Sequence, residues 1–154
     1  MATDERWVFG NTLNVEKPEA GSFSRSTLYS KLTLGQPDTL GKDNWLLASV
    51  PAPNVTEGWS IADVMLRYTI RGEIGAIDKV GLRDGNELVH SFEDPSLAVP
   101  IPDWETLTLT LPSPRRFTFG LGVSIHASYE GFGGSTAPPP TEFLFASVGL
   151  KFVR

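Results

Sequence analysis

The residues best placed to do chemistry lie in one stretch, RFTFGLGVSIHASY (116–129), where His126 is flanked two residues away by Ser124 and Ser128. A serine next to a histidine is the beginning of an activated nucleophile, provided that a carboxylate orients the ring and the hydroxyl can reach it. On an extended strand, residues i and i+2 are ~6.5 Å apart, beyond a direct hydrogen bond. No Gly-x-Ser-x-Gly elbow occurs in the chain either. His126, Ser124 and Ser128 therefore suit contact with a ligand better than catalysis.

The second histidine, His90, stands in ELVHSF in step with Leu88 and Phe92, the setting of a hydrogen-bonded core or edge residue. Metal chemistry has little to work with. Cysteine is absent, no HxH or HExxH spacing occurs, and Asp38, Asp43, Asp94 and Asp103 are isolated acids in predicted loops. An isolated loop aspartate commonly caps or turns the backbone. Gly131, Gly133 and Gly134 run into prolines and a strand, so no helix N-terminus is there to cradle a phosphate. Neither a metal nor a cofactor is expected.

Other side chains offer ligand contacts. Arg67 and Arg71 alternate onto one face with Met65 and Thr69, where guanidinium forks can meet an anionic or hydroxyl-rich molecule. Trp59 and Trp104 lie beside turns and are the expected exposed aromatics, whereas Trp7 and Trp45 read as core. The eleven residues EGFGGSTAPPP (130–140) exceed the usual two to five of a hairpin loop, and place Phe132 in a segment suited to a lid or a contact strip.

These residues must be held by β-strands. The chain reads as about nine strand-like segments with no convincing helix, the only helix-compatible windows being short ones near 18–27 and 56–63. Within 116–129, Phe117, Phe119, Leu121, Val123, Ile125, Ala127 and Tyr129 form one set, expected to face a core. Gly120 and Gly122 on the other set would let so long a strand bend, or leave room for a ligand. Segment 62–73 sets Val64, Leu66, Tyr68 and Ile70 against Met65, Arg67, Thr69 and Arg71, and ETLTLTL (105–111) alternates leucine with threonine. Leu28, Leu32 and Leu34 share a predicted face, a bulge is expected at Gly10–Asn11, and Asp84-Gly85 predicts a tight hairpin between 76–83 and 86–93. The last strand is TEFLFASVGLKFV (141–153). Frequent turns between short strands predict one all-β domain, an antiparallel β-sandwich over residues 1–154 or, alternatively, a flattened β-barrel.

Composition agrees. Fifteen glycines and twelve prolines in 154 residues suit a chain that turns often. A net charge of −5, with Arg115–Arg116 as the only adjacent basic pair, argues against nucleic acid and anionic membranes as partners. No apolar run approaches the ~20 residues of a membrane helix, and the acidic opening MATDERWVFG is unlike a secretion signal. The expected compartment is the cytoplasm.

Five segments occur in a suggestive order: NWLLASVPAP (44–53), VMLRY (64–68), IDKVGLRDG (77–85), FGLGVSIHASY (119–129) and EFLFASVGLKF (142–152). Together they resemble an uncharacterised microbial family of small, cysteine-free β-proteins, a domain of unknown function. The resemblance implies a one-domain β-sandwich and brings no catalytic residues with it.

Three roles fit these residues. The first is a non-catalytic binding module, lectin-like or small-ligand-binding, that uses loops and an open sheet face. The second is a self-associating scaffold, a homo-oligomer built on glycine-lined strands. The third is a barrel-type cyclase or isomerase that works by the shape of its cavity. The binding module is favoured, because no catalytic set assembles while aromatics and a long loop are available to a carbohydrate or small-molecule ligand.

Overall fold

A computed structural model describes residues 1–19, 21–35, 42–98, 101–129 and 138–154. Among them are eleven strands and two single 3-10 turns, at Gly10–Thr12 and Val55–Glu57. The strands are β1 (Thr3–Phe9), β2 (Asn14–Val15), β3 (Ser22–Arg25), β4 (Ser30–Leu34), β5 (Asp43–Val50) and β6 (Ser60–Arg71). They continue with β7 (Ala76–Asp84), β8 (Glu87–Ala98), β9 (Ile101–Arg115), β10 (Leu121–Ser128) and β11 (Thr141–Val153). The helix-compatible window near 18–27 holds β3, and that near 56–63 holds the end of the second 3-10 turn and the start of β6.

All pairings are antiparallel and form two sheets that do not close into a barrel. The first sheet runs β3-β4-β11-β6-β9, with β1 also on β11; the second runs β2-β5-β10-β7-β8. The protein is a β-sandwich. Its core lies between the sheets, with Tyr68, Phe143, Phe145 and Phe152 from the first facing Leu46, Val80, Leu82, Val123 and Ile125 from the second. Each such side chain removed from water contributes roughly 1.5–3 kcal/mol.

The bulge expected at Gly10–Asn11 is instead the crossing from one sheet to the other. β1 ends where Phe9 faces Ser147, and β4 begins where Ser30 faces Phe145. Gly10 fits the junction between them, and the Ser30 hydroxyl donates to its carbonyl at 2.5 Å. A Cβ on Gly10 would stand 1.7 Å from the Phe145 carbonyl oxygen, so only glycine fits there. The chain then enters the second sheet through β2.

Two further expectations need correction. The strand expected over 116–129 is shorter, because β10 starts at Leu121. Phe117, Leu121, Val123, Ile125, Ala127 and Tyr129 are buried as expected, but Phe119 is 70% exposed. Leu28 is exposed as well, because β4 begins only at Ser30 and the alternation does not extend back to it.

Candidate functional site

The non-core set of β10 forms the middle of the second sheet's outer face. In register, Gly122 faces Ser49 and Arg83, Ser124 faces Leu47 and Gly81, and His126 faces Trp45 and Lys79. Trp45, Leu47 and Ser49 therefore share this outer face, while Asn44, Leu46, Ala48 and Val50 point inward and are buried. Asn44 occupies a core position because its polar groups are satisfied locally. Its amide nitrogen donates to the Lys17 carbonyl at 2.8 Å, and its oxygen accepts from the Lys17 N–H at 3.2 Å. That exchange ties the segment after β2 to β5 and brings Glu16 beside Trp45, whose carbonyl accepts from the Glu16 N–H at 2.9 Å.

A groove of about 550 Å³ runs along this face. Glu16, from the β2 side, and Arg83 and Asn86, from the β7–β8 side, border it; Trp45, Ser49 and Gly122 are among the residues lining it. A second hollow of about 420 Å³ shares Ser49, Gly85 and Gly122 with the first and continues to Pro51 and Gly120. The two make one trough that follows β5 and β10. Gly122 keeps its floor low, since a Cβ there would touch only the Ala48 carbonyl, at 3.4 Å, and the Arg83 Cβ, at 3.8 Å.

Trp45 is the aromatic wall of the trough, and it is braced. The His126 ring lies 4.7 Å from the Trp45 ring, tilted by 45°. His126 Nδ1 is 2.5 Å from Asp78 Oδ1, and Nε2 is 3.7 Å from Asp43 Oδ1. Asp78 reaches the ring because β7 bulges there: Lys79 pairs with His126 and Ile77 with Ala127, which leaves Asp78 as the extra residue. A bulge of this kind re-aims a side chain. Lys17 and Lys79 complete the surroundings through Asp43 at 3.7 Å and Glu93 at 3.2 Å. Glu93 is held below the usual carboxylate range by hydrogen bonds from Ser91 and Lys79.

A carboxylate thus orients the histidine, but among the described residues no nucleophile answers it. Ser124 and Ser128 are buried, and neither hydroxyl bonds to the ring; that of Ser124 is 3.5 Å from the Gly81 carbonyl. Arg83 is the one cation bordering the trough, and among the described residues it forms no ion pair. Its Nη1 donates to the Asn86 carbonyl at 3.3 Å, while its Nε is the only buried side-chain polar atom among the described residues without a hydrogen bond.

The remaining residues singled out from sequence lie elsewhere. Arg67 and Arg71 are exposed on the outer face of the first sheet, on the opposite side of the sandwich, opposite Ser147 and Glu142 in register. Trp104 is on β9 of that sheet, 38% exposed, with its ring 6.0 Å from that of Tyr29. Trp59 sits after the 3-10 turn at 55–57, where its indole N–H donates to Glu57 at 3.1 Å and the Arg154 guanidinium covers it at 5.1 Å. Phe132 and most of the 130–140 segment lie outside the described residues, as does Asp38. His90 is half-buried against Phe92, edge-on at 4.5 Å. Leu88, expected to share its face, turns outward, because a bulge separates the Leu82–His90 pair from the Arg83–Leu88 pair.

Trp45 and Trp7, both read as core, face outward. Trp7 is 39% exposed and lies across Gly149, where a Cβ would come within 2.7 Å of the indole. The sequence held a signal for Trp45 in Asp43 and Ser49, which share its alternation set. Arg83 and Asn86 flank the predicted Asp84-Gly85 turn, but nothing in the sequence placed them beside Glu16 and Trp45, since only the sheet order does that.

No protein family and no curated protein matches the chain. Among solved structures it is similar to the carbohydrate-binding module CBM36 in complex with calcium and xylotriose, at 15% identity and a TM-score of 0.43, over 96% of this chain and 98% of that one. It is also similar to a CBM4 structure, at 12% identity and a TM-score of 0.45, over 94% and 86% of the two chains. A family 11 carbohydrate-binding module from Clostridium thermocellum, in complex with a β-1,3-1,4-mixed-linked tetrasaccharide, gives 12% identity and a TM-score of 0.41, over 96% and 87%. At these values the likeness carries no weight for function.

Proposed function

We propose that the protein is a non-catalytic carbohydrate-binding module whose site is the trough on the outer face of the second sheet. The observation that carries this reading is the combination of a braced outward tryptophan with a bare glycine floor and polar banks. A sugar ring has an apolar C–H face, which stacks on an aromatic ring, and an edge of hydroxyls that both donate and accept hydrogen bonds. Trp45 offers the first contact, and Glu16, Arg83, Asn86 and Ser49 offer acceptors and donors along the same trough. Binding sites commonly combine an apolar surface with a few placed polar groups in this way. Catalysis would need a reachable nucleophile or a pair of carboxylates across the trough, and Glu16 alone borders it as an acid among the described lining residues.

The test is affinity electrophoresis and calorimetry against soluble β-glucans, xylans, mannans and polygalacturonate. At least one neutral polysaccharide is expected to retard the protein. Trp45→Ala is expected to weaken that binding at least ~10-fold, as loss of a central aromatic contact does. Trp7→Ala, an outward tryptophan on the other sheet, serves as the control and should leave binding intact. No retardation by any polymer would overturn the reading, and so would loss of binding in Trp7→Ala but not in Trp45→Ala.

A further inference from the structure

We infer that Phe119 is a second aromatic platform at the far end of the same trough, and that the site takes a linear, neutral oligosaccharide long enough to reach from Trp45 to Phe119. This rests on the carbohydrate reading above and adds a chain length, a charge class and a residue to it.

The placement of Phe119 comes from β10 and its approach. Trp45 is level with His126, and the trough follows β10 back through Gly122 to Gly120. Six residues of strand at ~3.3 Å each separate the two ends by roughly 20 Å. Phe119 stands at the Gly120 end, and its Cβ and ring would lie 3.4–3.7 Å from a Cβ placed on Gly85, a residue that lines both hollows. Around Gly120 a Cβ would meet nothing within 4 Å. Between the two aromatics the lining residues Gly85, Gly120 and Gly122 carry no side chain, and Leu47, Ser49 and Pro51 on the β5 side form the bank beside them.

Phe119 is also held in a way that an incidental surface phenylalanine is not. The Asp84 carboxylate accepts the Thr118 N–H at 2.7 Å and the Phe119 N–H at 2.6 Å, and the Gly85 N–H donates to the Gly120 carbonyl at 2.7 Å. Charge-assisted bonds of this length are among the stronger ones in proteins. They fix the backbone of a side chain that stays 70% exposed. A large apolar group whose backbone is held in advance loses less freedom when it meets a ligand than one on a loose segment. The charge class follows from the surroundings. Glu16 borders the trough, Asp84 sits beneath Phe119 and Asp78 stands behind Trp45, while Lys17 is paired with Asp43 and Lys79 with Glu93, so among the described residues lining the trough Arg83 is the one cation without an ion pair.

The experiment is calorimetry with cello- and xylo-oligosaccharides from the disaccharide to the hexasaccharide, and with oligogalacturonates of matched length. In the wild-type protein, affinity for one neutral series should rise with length until both aromatics are reached. Phe119→Ala should lower hexasaccharide affinity about 10-fold and disaccharide affinity less than about 2-fold, which flattens the rise, and Phe119→Tyr should restore it. Trp45→Ala should weaken both lengths. If Phe119→Ala leaves the length dependence unchanged while Trp45→Ala removes binding, this inference falls and the carbohydrate reading stands. Tighter binding of the oligogalacturonates overturns the neutral class. If no oligosaccharide and no polysaccharide binds, both readings fall together.

Discussion

At the scale of single residues, Gly122 separates what folding needs from what binding needs. Nothing at this position demands glycine for the backbone, because a Cβ there meets only ordinary contacts at 3.4 and 3.8 Å. β-branched residues favour strands over glycine by up to ~1 kcal/mol. Gly122→Val is therefore expected to hold or raise thermal stability while it fills the trough floor and abolishes polysaccharide retardation. Thermal denaturation and affinity electrophoresis on the same sample check both halves, and a variant that binds normally would count against the trough. His126 gives the complementary case, since it contacts Trp45 rather than the open groove. Loosening that brace with His126→Ala should reduce polysaccharide affinity by about 3–10-fold, equivalent to ~0.7–1.4 kcal/mol, with little change in the polymers recognised. His126→Gln, able to keep a hydrogen bond to Asp78, should recover part of the loss in the same titration.

At the scale of elements, the junction at Gly10 and the β7–β8 hairpin decide where the site's parts end up. A methyl group at residue 10 would collide with the Phe145 carbonyl oxygen on the central strand β11, where backbone cannot yield cheaply. Gly10→Ala is expected to destabilise the fold by ~3 kcal/mol or more, a cost at the upper end for overpacking. In a domain of this size that lowers the melting temperature by roughly 6–12 °C, measurable by calorimetry. The sequence marked Gly10 as a break, and period-two patterning located most of the strands, with β11 found at its full extent. It could not separate a bulge from a change of sheet, because both look like a reset of the alternation. The hairpin shows the same limit. Asp84-Gly85 was legible as its turn, but the loop is Gly85-Asn86, with Gly85 at φ +61° and Asp84 still paired to Glu87. That shift of one residue frees the Asp84 carboxylate to hold residues 118 and 119. Phe119 looked like core because it is in step with Leu121 and Val123, and alternation cannot register that its backbone bonds to an aspartate instead of a neighbouring strand. The trough was illegible for a related reason: its banks come from the segment after β2, from β7 and from the β7–β8 turn, and strand order leaves no local trace.

At the scale of the whole molecule, the two sheets hold together through a core that carries one ionisable group worth following, Tyr68 of β6. Its hydroxyl is pushed up to about 12 from the ordinary 10.0, first by burial and then by the negative charge of Glu105 on the neighbouring strand. The folded protein thus keeps the phenol neutral where the unfolded chain ionises it. Stability from this group is complete below pH 10, declines as the pH rises toward 12, and levels off above that. The loss across the window is about 2–3 kcal/mol. Lys31 adds to the decline in the same direction, because its hydrogen bond to Glu142 raises its pKa and that stabilisation is lost once the ammonium deprotonates. Urea denaturation of wild type and Tyr68→Phe at intervals from pH 8 to pH 12 separates the two. The variant removes only the hydroxyl, so its stability should fall less steeply than the wild type's, and the two curves should diverge above pH 10. Parallel curves would mean that the phenol is reachable by water in the folded state, and that the sheets meet less closely around Tyr68 than its near-complete burial implies.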